Sequence, residues 1–169
     1  MITIDTATAR DIPAIMRLER GDGFENLVGR WSLEQHSAEM ALPGSLYLVA
    51  QDAAGKTQGF LLLQRLDDPD LCAHLRRIAV AQPGEGLGTV LLQAGLAHVF
   101  GNTQAHRFQL HVYVDNERGR RAYVRAGFVQ DGILRDARRM PDGAFKSTRV
   151  MSILRPEWEV VAAIGASCP

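Results

Sequence analysis

The chain has 169 residues, 46% of them hydrophobic, and its 19 lysines and arginines balance its 19 aspartates and glutamates. This length suits one domain with a sizeable core, and the composition excludes intrinsic disorder and the basic surface of a dedicated nucleic-acid-binding protein. Because the N-terminus lacks a basic and apolar leader and no apolar run could span a bilayer, we expect a cytoplasmic protein without a membrane partner.

The first half of the chain predicts two helices followed by a β-hairpin. Ile12, Ile15 and Met16 are spaced for one face of a helix. Ser32 stands three residues before Gln35, which is the spacing of a capping box at the start of a second helix. The chain between these helices is polar and rich in glycine, as surface loops are. The predicted elements are a strand at 2–7, helices at 9–20 and 31–44, and strands at 45–51 and 58–66.

The second half of the chain predicts alternating strands and helices. Apolar residues alternate strictly with Gln109, His111 and Tyr113, so one face of this strand belongs to the core and the other meets a polar environment. Gly127 ends a short helical pattern as a left-handed C-cap would. The predicted elements are a strand at 74–81, a helix at 88–100, a strand at 107–114, a helix at 116–127, strands at 128–135 and 147–155, and a tail over 156–169. This order predicts a mixed α/β (α+β) domain with helices on both faces of the sheet.

Three glycines, Gly84, Gly86 and Gly88, lie directly before the long helix. The first N–H groups of a helix have no intrahelical partner and carry the positive end of its dipole, so glycines there let a phosphate approach the backbone. A plain strand-to-helix turn also uses glycine, because glycine adopts positive φ freely. The stretch by itself leaves both interpretations open.

Two familiar phosphate loops do not fit this stretch. A Walker A loop needs a lysine after its last glycine, whereas Gly88 is followed by Thr89 and no lysine is near. A dinucleotide fingerprint needs a different glycine spacing and an acidic residue about twenty positions further on, where residues 108–110 offer no carboxylate.

A third pattern fits and extends over much more of the chain. The stretch "PGEGLG" is followed, after one strand, by Asn116, by Tyr123 seven residues later and by Gly127-Phe128. This spacing resembles the GNAT superfamily of acetyl-CoA-dependent N-acetyltransferases. The C-terminal hairpin resembles that of the subgroup containing ribosomal-protein N-terminal and spermidine acetyltransferases. The resemblance covers about residues 1–155 and implies a single GNAT-like domain over 1–169, with a central, mostly antiparallel mixed sheet of about seven strands.

The resemblance also implies a site for acetyl-CoA or coenzyme A. The pantetheine arm would lie against the strand of Ile78, with a main-chain N–H polarising the thioester carbonyl, and the pyrophosphate would lie on the glycine loop. The family's arginine or glutamine is Pro83 here, so backbone donors would carry the pyrophosphate contact. No metal is implied, and Cys72 and Cys168 do not have metal-ligand spacing. The implied coenzyme-binding residues are Ile78, Ala79, Val80, Gly84, Glu85, Gly86, Leu87, Gly88, Thr89, Asn116, Tyr123 and Arg125.

Acetyl transfer to an amine needs a proton acceptor for the amine and an acid for the departing thiolate. Tyr123 matches the family tyrosine that hydrogen-bonds or protonates the sulfur, although it could be a core aromatic. His74 stands where relatives of the subgroup carry a glutamate and is the candidate base, although a surface role or a water chain is an alternative. Glu19 and Glu25 flank the loop expected to cover the acceptor, where carboxylates are normally solvated.

Several further side chains have two possible roles in this interpretation. Asn116 could be only a helix N-cap. His111 and Tyr113 lie on the polar face of their strand and could border the site. A basic run is most simply a solvated helix face, with some of it available to the 3′-phosphate of coenzyme A. This run consists of Arg118, Arg120, Arg121 and Arg125.

The sequence therefore predicts an N-acetyltransferase that transfers the acetyl group of acetyl-CoA to a primary amine by direct attack. The acceptor is either a protein N-terminus or a small-molecule amine, and its specificity is expected in residues 20–44 and 140–145. The alternative is a noncatalytic acyl-CoA-binding sensor or interaction module on the same fold. No nucleic-acid partner is expected, and a homodimer is compatible with the interpretation.

Overall fold

The computed structural model describes residues 1–24 and 29–166, in which seven strands form one sheet of order β1-β2-β3-β4-β5-β7-β6. All neighbouring strands are antiparallel except β4 and β5, which are parallel. The strands are β1 (Thr3–Thr6), β2 (Leu46–Gln51), β3 (Thr57–Gln64), β4 (Cys72–Val80), β5 (Arg107–Tyr113), β6 (Val129–Arg139) and β7 (Phe145–Leu154). The helices are α1 (Ile12–Glu19), α2 (Leu33–Met40), α3 (Leu87–Asn102), α4 (Glu117–Arg125) and α5 (Arg155–Ala166), with a 3-10 turn at Ala9–Asp11. The predicted mixed, mostly antiparallel sheet is confirmed.

The sheet has a buried cluster on each face. Side chains of a strand alternate between faces, and in β3 Leu61 and Leu63 join the cluster under α3 while Phe60 and Leu62 join the cluster under α1. All four are fully buried, and each such side chain contributes about 1.5–3 kcal/mol relative to exposure. The predicted helices on both faces are therefore confirmed.

Strand β4 contains a β-bulge at Arg76. Leu63 pairs with Leu75 while the preceding Leu62 pairs with Arg77, so Arg76 is an extra residue without a partner in β3. An inserted residue reverses the alternation beyond it. Leu75 therefore faces the α3 side before the bulge, and Val80 faces the same side after it.

The parallel strands β4 and β5 pair only at their beginnings. Their register ends at Leu75 and Leu110, although β4 continues to Val80 and β5 to Tyr113. Beyond Leu75 the backbone of β4 has no β5 partner, and the two strands part to leave a gap in the sheet. The gap lies between the glycine loop, which follows β4, and α4, which follows β5.

The long helix α3 begins at the glycine loop. Gly86 is its N-cap with φ of 88°, a left-handed conformation that a residue with a Cβ rarely adopts. One side of the helix is buried, and its buried residues include Leu92, Leu96 and Val99.

Within residues 1–24 and 29–166, no helix combines the length and apolarity needed to cross a membrane.

The segment after the last strand, for which the sequence indicated only a tail over 156–169, contains a further helix, α5 at Arg155–Ala166. The Arg155 guanidinium donates to the carbonyls of Phe100, Thr103 and Ala105, and the Trp158 ring lies 5.3 Å from that of Phe100. These contacts hold α5 against the end of α3. The sequence contains one signal for the helix, a proline at its second position, but Val160, Val161 and Ile164 are exposed and blur its apolar face.

Candidate active site

A cavity of about 420 Å³ opens where β4 and β5 part. Its walls are β4 from His74 to Val80, β5 from Leu110 to Tyr113, the glycine loop and α4. The cavity brings together most of the predicted site residues, namely His74, Ile78, Ala79, Val80, Gly84, Gly86, Gly88, Thr89, Asn116, Tyr123 and Arg125. Glu85 and Leu87 lie in the same loop but do not line the cavity, and Leu87 packs against the core instead.

The glycine loop presents bare backbone to the cavity. Gly84 and Gly86 have φ of 98° and 88°, so both positions favour glycine whatever the surrounding space. A Cβ built on Gly84, Gly86 or Gly88 meets no protein atom within 4 Å. The N–H groups at the very start of α3 have no carbonyl a turn earlier, whereas the Thr89 N–H already donates to the Gly86 carbonyl at 3.0 Å. The arrangement is an open cradle for an anion.

Helix α4 carries Asn116 and Tyr123 to the opposite wall. The Asn116 side chain caps the helix by accepting from the Gly119 N–H at 2.9 Å. One face of the Tyr123 ring packs against Phe128, with 6.0 Å between centroids. Burial raises the pKa of Tyr123 to about 12, so its hydroxyl keeps its proton at neutral pH and can donate it.

Two histidines lie beside each other at the closed end of the gap between β4 and β5. The rings of His74 on β4 and His111 on β5 lie 5.2 Å apart, and both line the cavity. Burial, followed by the charges of His111 and Arg76, lowers the pKa of His74 to about 4. His74 is therefore neutral at pH 7 and has a lone pair free to accept a proton.

The same face of the sheet carries a hydroxyl that sequence reasoning missed. Thr148 on β7 pairs with Tyr113 on β5, and residues paired across strands share a face. Thr148 is only 2% exposed and lines the cavity, yet its Oγ1 has no hydrogen-bond partner within the described residues. Buried hydroxyl groups are normally bonded, so Thr148 marks a place where a ligand group fits. The alternation of β7 was the signal available in the sequence.

Glu19 is not a solvated loop carboxylate, and that prediction is wrong. It is fully buried at the end of α1, where it pairs with the Arg77 guanidinium and accepts from His36 Nε2 at 3.1 Å and from the Trp31 N–H at 3.2 Å. The Tyr47 hydroxyl lies 2.9 Å from His36 Nδ1 and extends the network to β2. The β-bulge places Arg77 on the side of the sheet that α1 covers. The buried charge of Arg77 needs a counterion, and the carboxylate at the end of α1 provides it.

This network anchors the part of the chain that brings Phe24 and Gly29 to the cavity wall. The Arg77 guanidinium lies 3.9 Å from the centre of the Trp31 ring and donates to the Gly29 carbonyl at 2.7 Å. Phe24 and Gly29 both line the cavity. Glu25, the second predicted carboxylate, lies outside the described residues.

The basic run of α4 divides into two groups. Arg120 pairs with Glu117 on the helix surface, as a solvated face would. Arg118 and Arg125 line the cavity. No group of three or more His, Cys, Asp or Glu side chains within residues 1–24 and 29–166 is arranged to hold a metal ion.

Known proteins share both the sequence pattern and the fold. Residues 12–128 match the acetyltransferase (GNAT) family. Mutant forms of the spermidine/spermine N-acetyltransferase SpeG from Vibrio cholerae superpose with a TM-score of 0.81 at 21% identity, over 95% of this chain and 98% of that chain. The ribosomal-protein-S18-alanine N-acetyltransferase from Escherichia coli superposes with a TM-score of 0.75 at 22% identity, over 91% and 94%.

A further solved structure, a dodecameric spermidine N-acetyltransferase from Vibrio cholerae, superposes with a TM-score of 0.78 at 21% identity, over 93% of this chain and 95% of that chain. At these identities the superpositions show a shared fold. The family match covers well over half of the chain and includes the glycine loop and α4. The resemblance inferred from the spacing of Gly86, Asn116 and Tyr123 is thus confirmed. The chain belongs to the acetyltransferase (GNAT) family and is an acetyl-CoA-dependent N-acetyltransferase.

Proposed function

We propose that this chain transfers the acetyl group of acetyl-CoA to a primary amine by direct attack in the cavity between β4 and β5. The observation that carries the proposal is one continuous cavity. It leads from the glycine cradle, along an unpaired edge of β4, to Tyr123 and His74. The family uses acetyl-CoA as co-substrate, and the residues present fit it.

The unpaired edge of β4 suits the pantetheine arm. From Arg76 to Val80 this strand has no β5 partner, so its outward N–H and C=O groups are free to pair with the amides of pantetheine as a neighbouring strand would. The glycine loop follows directly, and its open backbone donors suit the pyrophosphate. We assign Ile78, Ala79 and Val80 to the pantetheine arm and the backbone of residues 84–89 to the pyrophosphate.

The reaction needs no covalent enzyme intermediate. The amine nitrogen bonds to the acetyl carbon, the carbon–sulfur bond breaks, and one proton moves from nitrogen towards sulfur. We propose that neutral His74 accepts the amine proton, directly or through one water, and that Tyr123 donates its hydroxyl proton to the departing thiolate. Backbone N–H groups beyond the β-bulge would stabilise the charge on the thioester oxygen.

The alternative left open by the sequence was a noncatalytic acyl-CoA sensor on the same fold. A sensor needs the glycine cradle but not a phenol hydroxyl that keeps its proton in the cavity wall, and Tyr123 in that wall favours the enzyme. The test is release of free coenzyme A thiol from acetyl-CoA in the presence of a panel of amines. Amine-dependent release supports the enzyme, whereas tight acetyl-CoA binding without release for any amine supports the sensor.

Gly88→Val is expected to weaken coenzyme A binding about ten- to a hundredfold, because the new side chain enters the cradle, where overpacking costs about 1–3 kcal/mol. Titration calorimetry with coenzyme A measures the loss. Gly101→Val is the matched control, since Gly101 lies in the same helix, also has open space around its Cβ and does not line the cavity. Equal affinities for the two variants would remove the cradle from the site.

His74→Gln is expected to lower the plateau of kcat/KM about a hundredfold, at the low end for a general base. Because the pKa of His74 is held at about 4, His74 is already deprotonated between pH 6 and pH 9 and produces no limb there. A limb in that range reports the amine and should survive the substitution. The measurement is the pH profile of kcat/KM, with His98→Gln, outside the cavity, as control. An unchanged plateau would exclude His74 as the base.

We also propose that two chains associate through the edge of the sheet. Strand β6 is an edge strand and exposes Val129, Ile133 and Leu134, and its partner β7 exposes Phe145. Long apolar edges are normally covered, and pairing with a second copy would cover this one. The mass in solution, measured by sedimentation velocity, distinguishes a dimer from a monomer.

A further inference from the structure

The charged side chains that line the cavity are all arginines in the part of the chain that the structure describes. They are Arg76, Arg77, Arg118, Arg125 and Arg138. Two of them, Arg76 and Arg138, lie at the His74 end, where the acetyl group and the amine would meet. The electrostatic character of that end decides which amines can enter it.

Sheet register places Arg138 on the face of the sheet that carries Thr148. Arg138 on β6 pairs with Lys146 on β7, which lies two residues before Thr148 and so on the same face as that hydroxyl. Arg76 is the bulged residue of β4, and its guanidinium lies 5.7 Å from the centre of the Trp31 ring. Burial and the charge of His111 lower the pKa of His74, and the charges of Arg76 and Arg138 lower it further, so both arginines lie near this histidine.

The carboxylates near this end are already engaged. Glu19 is buried against Arg77 and His36. Glu39 accepts from the Ser45 hydroxyl and from the Gln64 amide, and its charge acts on Arg76 without forming an ion pair with it. Neither Arg76 nor Arg138 forms an ion pair within residues 1–24 and 29–166, so both positive charges are available to a ligand.

The phosphates of acetyl-CoA do not account for these charges. They belong at the glycine loop, and Val80, just before that loop, lies five residue steps along β4 from Leu75, at the closed end of the gap. At about 3.3 Å per residue this is roughly 17 Å. The unpartnered Oγ1 of Thr148 lies on the same face of the sheet as Arg138 and indicates a polar ligand group there as well.

We propose that the acceptor is a small-molecule amine that also carries a carboxylate or phosphate group, bound by Arg76 and Arg138 with the Thr148 hydroxyl as a further donor. Guanidinium groups bind these anions in bidentate geometry. They repel a second ammonium group, as in a polyamine, and they also favour the neutral form of the reacting amine, which is the form that attacks. The inference rests on the proposed function and narrows its acceptor.

The experiment uses amines that share one chain length and differ in the charge of the tail. In the first series γ-aminobutyrate, its amide and putrescine have anionic, neutral and cationic tails. In the second series phosphoethanolamine carries a phosphate group and ethanolamine carries no anionic group. Amine-dependent release of coenzyme A thiol is measured for the wild type. We expect kcat/KM at least about tenfold higher for the anionic member of a series than for the neutral member, and lowest for putrescine. The preferred series distinguishes carboxylate from phosphate.

Variants then assign the preference to the arginines. Arg138→Gln should raise KM for the anionic amine about tenfold or more, with little change for the neutral amide and none in KM for acetyl-CoA. Arg138→Glu should shift the preference towards putrescine. Arg139→Gln, next along the strand and outside the cavity, is the control and should match the wild type.

The outcomes separate this inference from the proposed function. Efficient acetylation of putrescine and poor acetylation of both anionic amines would overturn the anionic acceptor while supporting the N-acetyltransferase. A wild-type preference for anions that survives Arg138→Gln and Arg76→Gln unchanged would overturn the arginine site. No thiol release with any amine, despite acetyl-CoA binding, would overturn both.

Discussion

Replacing Tyr123 by phenylalanine should lower kcat about a hundredfold to ten-thousandfold while leaving the affinity for coenzyme A near that of the parent chain. The substitution keeps the ring packed on Phe128 and removes only the hydroxyl that would protonate the thiolate. Single-turnover kinetics measures the chemical step, and calorimetry with coenzyme A measures binding.

The pH dependence adds a second readout for Tyr123. Because the pKa of Tyr123 is raised to about 12, the acid stays protonated through the accessible range, and activity that depends on it is lost only as pH rises towards that value. Between pH 7 and pH 9 the rate of the wild type should therefore fall no more than the rate of Tyr123→Phe does. An unaltered single-turnover rate in the variant would remove Tyr123 from the mechanism.

Replacing Glu19 by glutamine should lower the free energy of unfolding by about 3–5 kcal/mol, because it leaves the charge of Arg77 buried without a counterion. Urea unfolding at pH 7 measures the loss. Glu159→Gln is the control, since Glu159 is exposed on α5 and such a change is worth about 0.5 kcal/mol or less. A loss in Glu19→Gln no larger than in the control would show that the ion pair does not stabilise the fold.

The stability should also depend on pH through Glu19. Burial by itself raises the pKa of this carboxyl, but the hydrogen bond from His36 and the charge and hydrogen bond of Arg77 outweigh it and hold the pKa below its usual value. Its contribution is therefore full above the ordinary carboxyl pKa and is lost as pH falls through the lowered one. The stability difference between wild type and Glu19→Gln should shrink as the solution is acidified below about pH 4.

A double-mutant cycle separates the ion pair from packing. Arg77→Met alone removes the partner and leaves the Glu19 carboxylate buried, so it should also destabilise the chain strongly. Combining it with Glu19→Gln removes both charges at once, so the double variant should lose less than the sum of the two single losses. Additive losses would mean that the two side chains act independently.

Features that depend on local backbone chemistry could be predicted from the sequence. The cap at Asn116, the capping box at Ser32 and the left-handed Gly86 each form within a few residues, so the residue types themselves specify them. The alternation of β5 likewise predicted that His111 and Tyr113 would share a face. The spacing of Gly86, Gly88, Asn116, Tyr123 and Gly127-Phe128 was enough to indicate the family.

Features that depend on distant partners could not be predicted from the sequence. The bulge at Arg76 and the parting of β4 from β5 follow from which strands pair and in what register, and sequence alternation does not specify the partner. The helix α5 was missed because its support comes from contacts of Arg155 and Trp158 with the end of α3. Local propensity carries little of that signal.

The sequence by itself determined the family, the glycine cradle and the candidate acid Tyr123, because each rests on short spacings whose backbone geometry is local. Only the tertiary structure decided that Glu19 is buried against Arg77, that His74 is held neutral and that Thr148 and Arg138 share its face. The physical reason is that burial, desolvation and charge pairing depend on distances through space. Side chains from β4, β5, β6 and β7 line this cavity although they are far apart along the chain.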